Sequence, residues 1–565
     1  MKKILLTLTL ALTAIAAGAQ TMYDALTFGE NDYLGSARSM ALGNAVTALG
    51  GDLGMAGINP AAPAVAGYSQ LIITPGFSIS ATSSSYAPVQ GGAFGAAQRS
   101  SLSKFALPNI GISTIFPTGN LYGLRSMTFT VTANSTANYT DNMENVGVNS
   151  QTSKFAEFAS AAEGIYPGQL TYDNYGGLWD VVNAYESGTI APYTGDGMYI
   201  GSSEYLTSDK GYHYIPGALT QTNTVKKYGT KTDLVFGFSF NISDRFYWGL
   251  NMGIPMIEYD YFQSYREVTQ DPNQFPAVMV NSKTGLSETT YYDAGLYQYE
   301  FSTRMSGLYG KIGFISLPMD GLRIGAAIQT PVSYSVSENW QYSGQVSYMD
   351  TKYSTSRTYS PLSTNKYTFR GPWEINAGAA YVFGTRGLVS VDYEMTDYSH
   401  MNIHSYSSGE NYLCANYSIS NFCGVSHSLR AGVEVNLNNW LAVRFGGSVV
   451  SSPEKSRTTS DGKVIDGAEY AADFENFYSG RRQLLGWSYS KPATKKLSAG
   501  VGYSAPGGFF VDLALRLAIY PTYTYNPYYS YPNYDKTGAR VDTLSPEISC
   551  TRRLWSAALS FGWKF

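Results

Sequence analysis

The chain has 565 residues, only 14% of them charged and 15% aromatic, with 48 tyrosines and 58 glycines. Ordinary soluble domains carry about 25% charged residues, and a formal net charge of −4 offers nothing to nucleic acid. After residue 20 no apolar run approaches the ~20 residues of a membrane helix, so the scarcity of charge points to a transmembrane β-barrel, apolar on one strand face only.

The chain opens on Met1-Lys2-Lys3 and an apolar run over 4–17, the two parts of an export signal. Ala17-Gly18-Ala19 is a small-x-small cleavage site, which predicts a signal peptide over 1–19 and a mature chain beginning at Gln20. The run is too short to span a bilayer, and no cysteine stands at the cleavage site to carry a lipid anchor. Loss of Lys2 and Lys3 leaves 36 basic against 42 acidic residues.

Residues 35–64 are nearly free of bulky side chains and carry two charges, Arg38 and Asp52. Ala37, Ala41, Ala45 and Ala48 keep helical spacing, which predicts a helix that Gly50-Gly51 ends. Asp52 is placed to cap the next turn, and Pro60 and Pro63 are expected to stop further helix. Residues 20–69 therefore read as a plug inside a pore, the alternative being a flexible leader outside it.

From residue 70 the chain alternates. In the last strand Trp555, Ala557, Leu559, Phe561, Trp563 and Phe565 share one face, opposite Ser556, Ala558, Ser560, Gly562 and Lys564. The same period recurs over 234–240, 246–254, 373–383, 389–395, 428–437, 441–449 and 509–519. Asp392, Glu394, Arg430, Glu434, Arg444, Asp512 and Arg516 fall opposite the large apolar residues. An arginine facing lipid at mid-membrane costs about 2–4 kcal/mol, so this set reads as a polar network in the lumen. Ion pairs that hold the plug are preferred to a selectivity filter, and Arg38 or Asp52 could join them.

Short turns near 117–120, 241–244, 317–321, 384–387, 438–439 and 505–508 alternate with long stretches. Those lie near 85–104, 141–229, 266–300, 346–366, 400–426, 451–493 and 521–551. Seven long and six short connections join fourteen strands, and an even count puts both termini at the periplasmic end. The expected fold is all-β: a transmembrane antiparallel barrel of about fourteen strands over 70–565, with a small helical hatch in its lumen.

The spacing Ala37-Arg38, Gly43, Ala45, Ala48, Asp52 and Asn59-Pro60-Ala61 resembles the N-terminal hatch of the FadL/TodX family. The resemblance implies an outer-membrane transporter of long-chain fatty acids and other hydrophobic compounds, built as a fourteen-stranded barrel. It implies hatch or gating roles for Arg38, Gly43, Asp52, Asn59, Pro60 and Ala61. Terminal Phe565 resembles the signature read by barrel-assembly machinery. Ala62 stands where the family usually has Gly, and Ile58 where an aromatic often precedes the motif.

No hydrolase, phosphate-loop, zinc-protease or dinucleotide motif occurs, so no enzyme activity, cofactor or metal is expected. His400 and His404 stand four apart near Cys414 and Cys423, but no carboxylate lies between them, and a structural loop is preferred to a metal site. Cys414 and Cys423 are candidates for a disulfide. His427 has outward parity and reads as a residue of the interfacial girdle. The tyrosine run 520–534 suits either an aromatic lip for amphiphiles or a protein-contact surface. The expected function is passive uptake of a hydrophobic or amphipathic small molecule, fatty acid or detergent-like, across the outer membrane of a Gram-negative bacterium. The protein would be a monomer, with outer-membrane lipid and the assembly machinery as partners. The alternative is a scaffold whose surface loops engage exported proteins.

Overall fold

The computed structural model describes residues 22–87, 97–175, 177–193, 197–207, 211–280, 284–406, 412–455, 457–458, 464–465, 488–489, 493–535, 537–543 and 545–565. The expected signal peptide, its cleavage site and most of the 451–493 stretch lie outside them.

Fourteen strands form one closed antiparallel ring. The first five are β1 (Gln70–Ala87), β2 (Gln98–Pro117), β3 (Leu124–Asn138, continued by Asp141–Asn149), β4 (Leu219–Ile242) and β5 (Phe246–Thr269). Then come β6 (Ser287–Met319), β7 (Leu322–Gln329 and Ser333–Tyr348), β8 (Ser363–Arg370 and Trp373–Val382) and β9 (Gly387–Asp397 and Asn402–Ser405). The last five are β10 (Val425–Asn436), β11 (Leu441–Val450), β12 (Thr494–Ser504), β13 (Phe509–Ile519) and β14 (Glu547–Lys564). Each pairs with its neighbours in sequence, and β14 closes on β1 in a register running from Gln70↔Lys564 to Ala87↔Glu547. No sheet edge is left in the ring, which is what lipid demands of backbone amides and carbonyls.

Burial follows the parity read from the sequence. On β13 Leu513 and Leu515 are exposed outward while Asp512, Ala514, Arg516 and Ala518 are buried. On β14 Trp555, Phe561 and Trp563 are exposed and Ser556, Ala558 and Ser560 are buried. An outer surface this apolar belongs in lipid. Leu515→Arg should therefore cost about 2–4 kcal/mol and impair membrane assembly, whereas Arg516→Leu should leave assembly largely intact. Heat-modifiability on gels reads both, and equal behaviour of the two variants would invert the faces of β13.

Tight turns cluster at one end, here the turn end. Between β4 and β5 Ser243 and Asp244 both take positive φ (54° and 53°), the left-handed pair of a tight turn that the Arg245 amide closes on Ile242 O. Asn241 holds it, donating from Nδ2 to Asp244 Oδ1 at 2.7 Å and accepting from the Asp244 amide at 2.9 Å.

At the opposite, loop end the strands run far past the lipid. Crossing a membrane takes about 9–11 residues, yet β6 has 33. On β5 the outward apolar series ends at Met256, and Glu258 and Asp260 follow it, Asp260 pairing with Arg304 of β6 at 3.0 Å. The stretches expected as loops near 141–229 and 266–300 are thus shorter than read. Backbone pairing continues where the outward residues turn polar, because water tolerates them.

The connection after β3 is itself folded. Helices Lys154–Ala162 and Trp179–Glu186 form a cap whose core includes Phe155, Phe158, Val181, Tyr265 of β5 and Tyr297 of β6. Glu267 of β5 caps the first helix, accepting from the Lys154 amide at 2.8 Å and from Ser153 Oγ at 2.6 Å. Much of the tyrosine run is buried: Tyr528 and Tyr531 in the cap core, Tyr523 and Tyr525 against Tyr86 and Met143, while Tyr520 and Tyr523 also line a cavity in the lumen. Cys423 carries a free, buried thiol, and the side chain of Cys414, its candidate disulfide partner, lies outside what the structure describes. His400 Nδ1 lies 2.7 Å from Asp397, and outward His427 contacts the Tyr393 hydroxyl at 2.6 Å.

Within the cap His213 Nδ1 meets Glu204 at 2.9 Å. Burial alone would lower its pKa, but the Glu204 carboxylate outweighs burial and raises it above 6.5. Protonation therefore favours the folded cap. The stabilisation is complete below the ordinary histidine value and is lost as pH rises through the raised one. Limited proteolysis of the cap should be faster at pH 8 than at pH 5.5, and Glu204→Gln should abolish the difference.

Candidate functional site

The N-terminal segment lies inside the ring. It comprises α1 (Met22–Gly29), α2 (Ala37–Ala41), a 3₁₀ turn (Leu53–Met55) and α3 (Ala62–Ala66). Its residues from Leu34 to Ala64 are almost all buried. The helix expected over 37–49 is only five residues long. Gly43 and Asn44 take φ of 64° and 58°, and this left-handed step turns the backbone against the wall. Asp52 caps as expected, accepting from the Gly54 amide at 2.7 Å and the Ser36 hydroxyl at 2.7 Å. Pro63 does not stop a helix but stands in the first turn of α3, where its missing N–H costs nothing.

The wall receives the segment on glycine. Three cross-strand pairs, Gly249↔Gly313, Gly325↔Gly378 and Gly432↔Gly446, face inward at the turn-end half of the barrel. A Cβ on Gly249 would lie 2.3 Å from Pro60 O, one on Gly325 2.4 Å from Thr47 O, and one on Gly446 2.2 Å from Gly43 N. Glycine inside a strand marks such close approach. The central glycines of these strands are the signal of this seat in the sequence.

Asn59 ties the segment both to itself and to the wall. Its Nδ2 donates to Thr47 O at 2.7 Å and to Phe314 O of β6 at 3.0 Å, and its Oδ1 accepts from the Ala61 amide at 3.0 Å. Arg38 joins the lumen network through a two-pronged contact with Glu434, 2.9 Å from Nε and 3.0 Å from Nη2. Arg444 bridges Glu434, at 2.6 Å, and Asp512. Arg430 pairs with Glu394, and Asp392 accepts from the Thr47 amide at 2.7 Å. Asp52 makes its hydrogen bonds within the segment and not to these pairs.

Asp32, missed in the sequence, is the second anchor: it bonds Lys496 at 2.7 Å and Arg516. Burial would raise its pKa, but Arg516 and Lys496 outweigh burial and hold the carboxyl below its usual range. Lys311 adds a third, bonding Glu374 and Gly57 O, each at 3.0 Å. Phe565 pairs with the Ser69 backbone at the turn end. The first described residue, Met22, instead packs among Tyr367, Tyr412 and Phe422 in the loop-end half, so the two ends of the described chain are not at one level. The chain climbs through the lumen before returning to β1.

A cavity of about 400 Å³ opens on the loop side of the segment. Its floor includes Asp32, Asn44 and Arg430, and its roof includes Trp179 of the cap. Strands β5, β6 and β7 line one side with Tyr261, Tyr297, Tyr299, Phe301, Trp340 and Tyr342. These rings tile: Tyr299 and Tyr342 stack at 4.9 Å, and Tyr261 lies 5.9 Å from Tyr299.

No protein-family model and no curated protein sequence matches the chain. Among solved structures it is similar to a Pseudomonas aeruginosa FadL homologue, with a TM-score of 0.47 and 11% identity over 94% of this chain and 99% of that one. The Pseudomonas putida toluene transporter TodX gives 0.45 and 12% over 95% and 100%. The Ralstonia pickettii toluene transporter TbuX gives 0.42 and 13% over 94% and 98%.

Proposed function

We propose that the protein is an outer-membrane channel for passive uptake of hydrophobic or amphipathic small molecules, with residues 35–64 acting as a hatch. The observation that carries this reading is the lumen itself: plugged by non-covalent contacts at the turn end, and opening on the loop side into an aromatic-lined cavity. Such a cavity needs no covalent chemistry to load, since burial favours a ligand by about 0.8 kcal/mol per methylene. The turn end faces the periplasm in this reading, and the cap and loops face outside. Long-chain fatty acid is the substrate that the hatch resemblance implies. A scaffold role is the second reading, favoured by Val278, Val280 and Leu286, which are about two-thirds exposed on the hairpin beyond the ring (70%, 67% and 67%). Lipid extraction of the purified protein followed by mass spectrometry separates the two. A bound amphiphile supports uptake, and an empty lumen with co-purifying exported protein supports the scaffold.

A further inference from the structure

We propose that the cavity selects facial amphiphiles, rigid molecules with one apolar and one polar face, over single-chain amphiphiles. The inference rests on the uptake reading above and deepens it. The largest group of rings stands on β5, β6 and β7, while single rings elsewhere, among them Tyr139, Tyr398, Tyr520 and Tyr523, also reach the cavity. Across the lumen, on β10 to β14, the lining is mostly polar, with Ser428, Arg430, Ser448, Thr494, Ser498 and Arg552 outnumbering Val450, Tyr520 and Tyr523. The centre of that polar arc stands about six strands from β6 in a ring of fourteen, so the two sides face one another. Polarity in this cavity thus changes across its width.

Two groups on the polar side ask for a partner. Ser428 and Arg430 are 3% and 6% exposed, lie two residues apart on the inward face of β10, and both line the cavity. Ser428 Oγ and Arg430 Nη1 have no hydrogen-bond partner in the protein, although Arg430 pairs with Glu394 through Nη2. A buried donor left unpaired is costly, and a ligand hydroxyl or anion at this edge would satisfy both. A fatty acid carries its polar atoms at one end, so its methylenes would lie against serine and arginine and leave them desolvated. A ligand with hydroxyls along one face and hydrocarbon on the other meets each side with its like.

The test is calorimetric titration of the protein in lipid nanodiscs with cholate, a rigid facial amphiphile, and with laurate, a single chain. Cholate should bind saturably and at least about tenfold tighter than laurate. Ser428→Ala should weaken cholate severalfold more than laurate, and it removes too little to disturb folding, whereas Trp340→Ala, which thins the apolar wall, should weaken both. Laurate binding as tightly as cholate would overturn the inference and leave the uptake reading standing. Absence of binding by either would overturn both.

Discussion

Deleting residues 35–64 should convert a quiet barrel into an open pore. The ring satisfies its own backbone hydrogen bonds strand to strand, so the deletion removes filling rather than framework. Several lumen charges also keep partners within the wall: Arg444 retains Asp512 and Glu434, Arg430 retains Glu394, and Lys311 retains Glu374. What goes is the body that covers the glycine seat and carries Asn59 and Arg38. Fourteen strands enclose more space than their own side chains fill, and nothing else described crosses the lumen at that level. In planar bilayers the deletion protein should show large stepwise conductance where the full chain shows none. The membrane should leak small polar solutes, and selective uptake of hydrophobic solute should be lost. If the deletion protein conducts no better than the full chain, the segment does not occlude the lumen and the scaffold reading gains.

Gly446→Val should unseat the segment while sparing the barrel. Valine suits a strand, and β11 can carry it as a wall residue. Its Cβ, however, would stand 2.2 Å from Gly43 N, 2.3 Å from Leu42 C and 2.8 Å from Ala41 O. All three are backbone atoms of a turn already fixed by its left-handed step, so no side chain can swing aside. Overpacking of this kind typically costs about 1–3 kcal/mol, and here it falls on a segment held by a few hydrogen bonds and ion pairs. Gly310, with nothing within 4 Å of an added Cβ, is the control. Gly446→Val should acquire conductance like that of the deletion, and Gly310→Val should stay quiet. Silence from Gly446→Val in a properly folded barrel would mean that the glycine pairs are not the seat.

The ring was legible because lipid punishes one face: Leu513 and Leu515 outward against Asp512 and Arg516 inward can be read from sequence alone. Where the wall leaves lipid that punishment ends. Tyr259, Tyr297 and Trp340 then point inward while Asp260 and Arg304 point out, an inverted pattern that looked like loop. The hatch was legible as a low-charge run ending in Asn59-Pro60-Ala61. Its helix was over-read because alanine spacing says nothing of the left-handed step at Gly43 and Asn44, which the wall contact fixes. Asp32 was missed because an acidic residue outside the motif resembles ordinary loop polarity until Arg516 and Lys496, nearly five hundred residues on, close around it.

Selective uptake through a plugged barrel is tested most directly by solute entry into cells expressing the full chain or an empty vector. Labelled hydrophobic solute should accumulate faster with the full chain, while entry of a small polar solute stays at the vector rate. Equal accumulation of the hydrophobic solute in both, with the barrel assembled in the outer membrane, would contradict it.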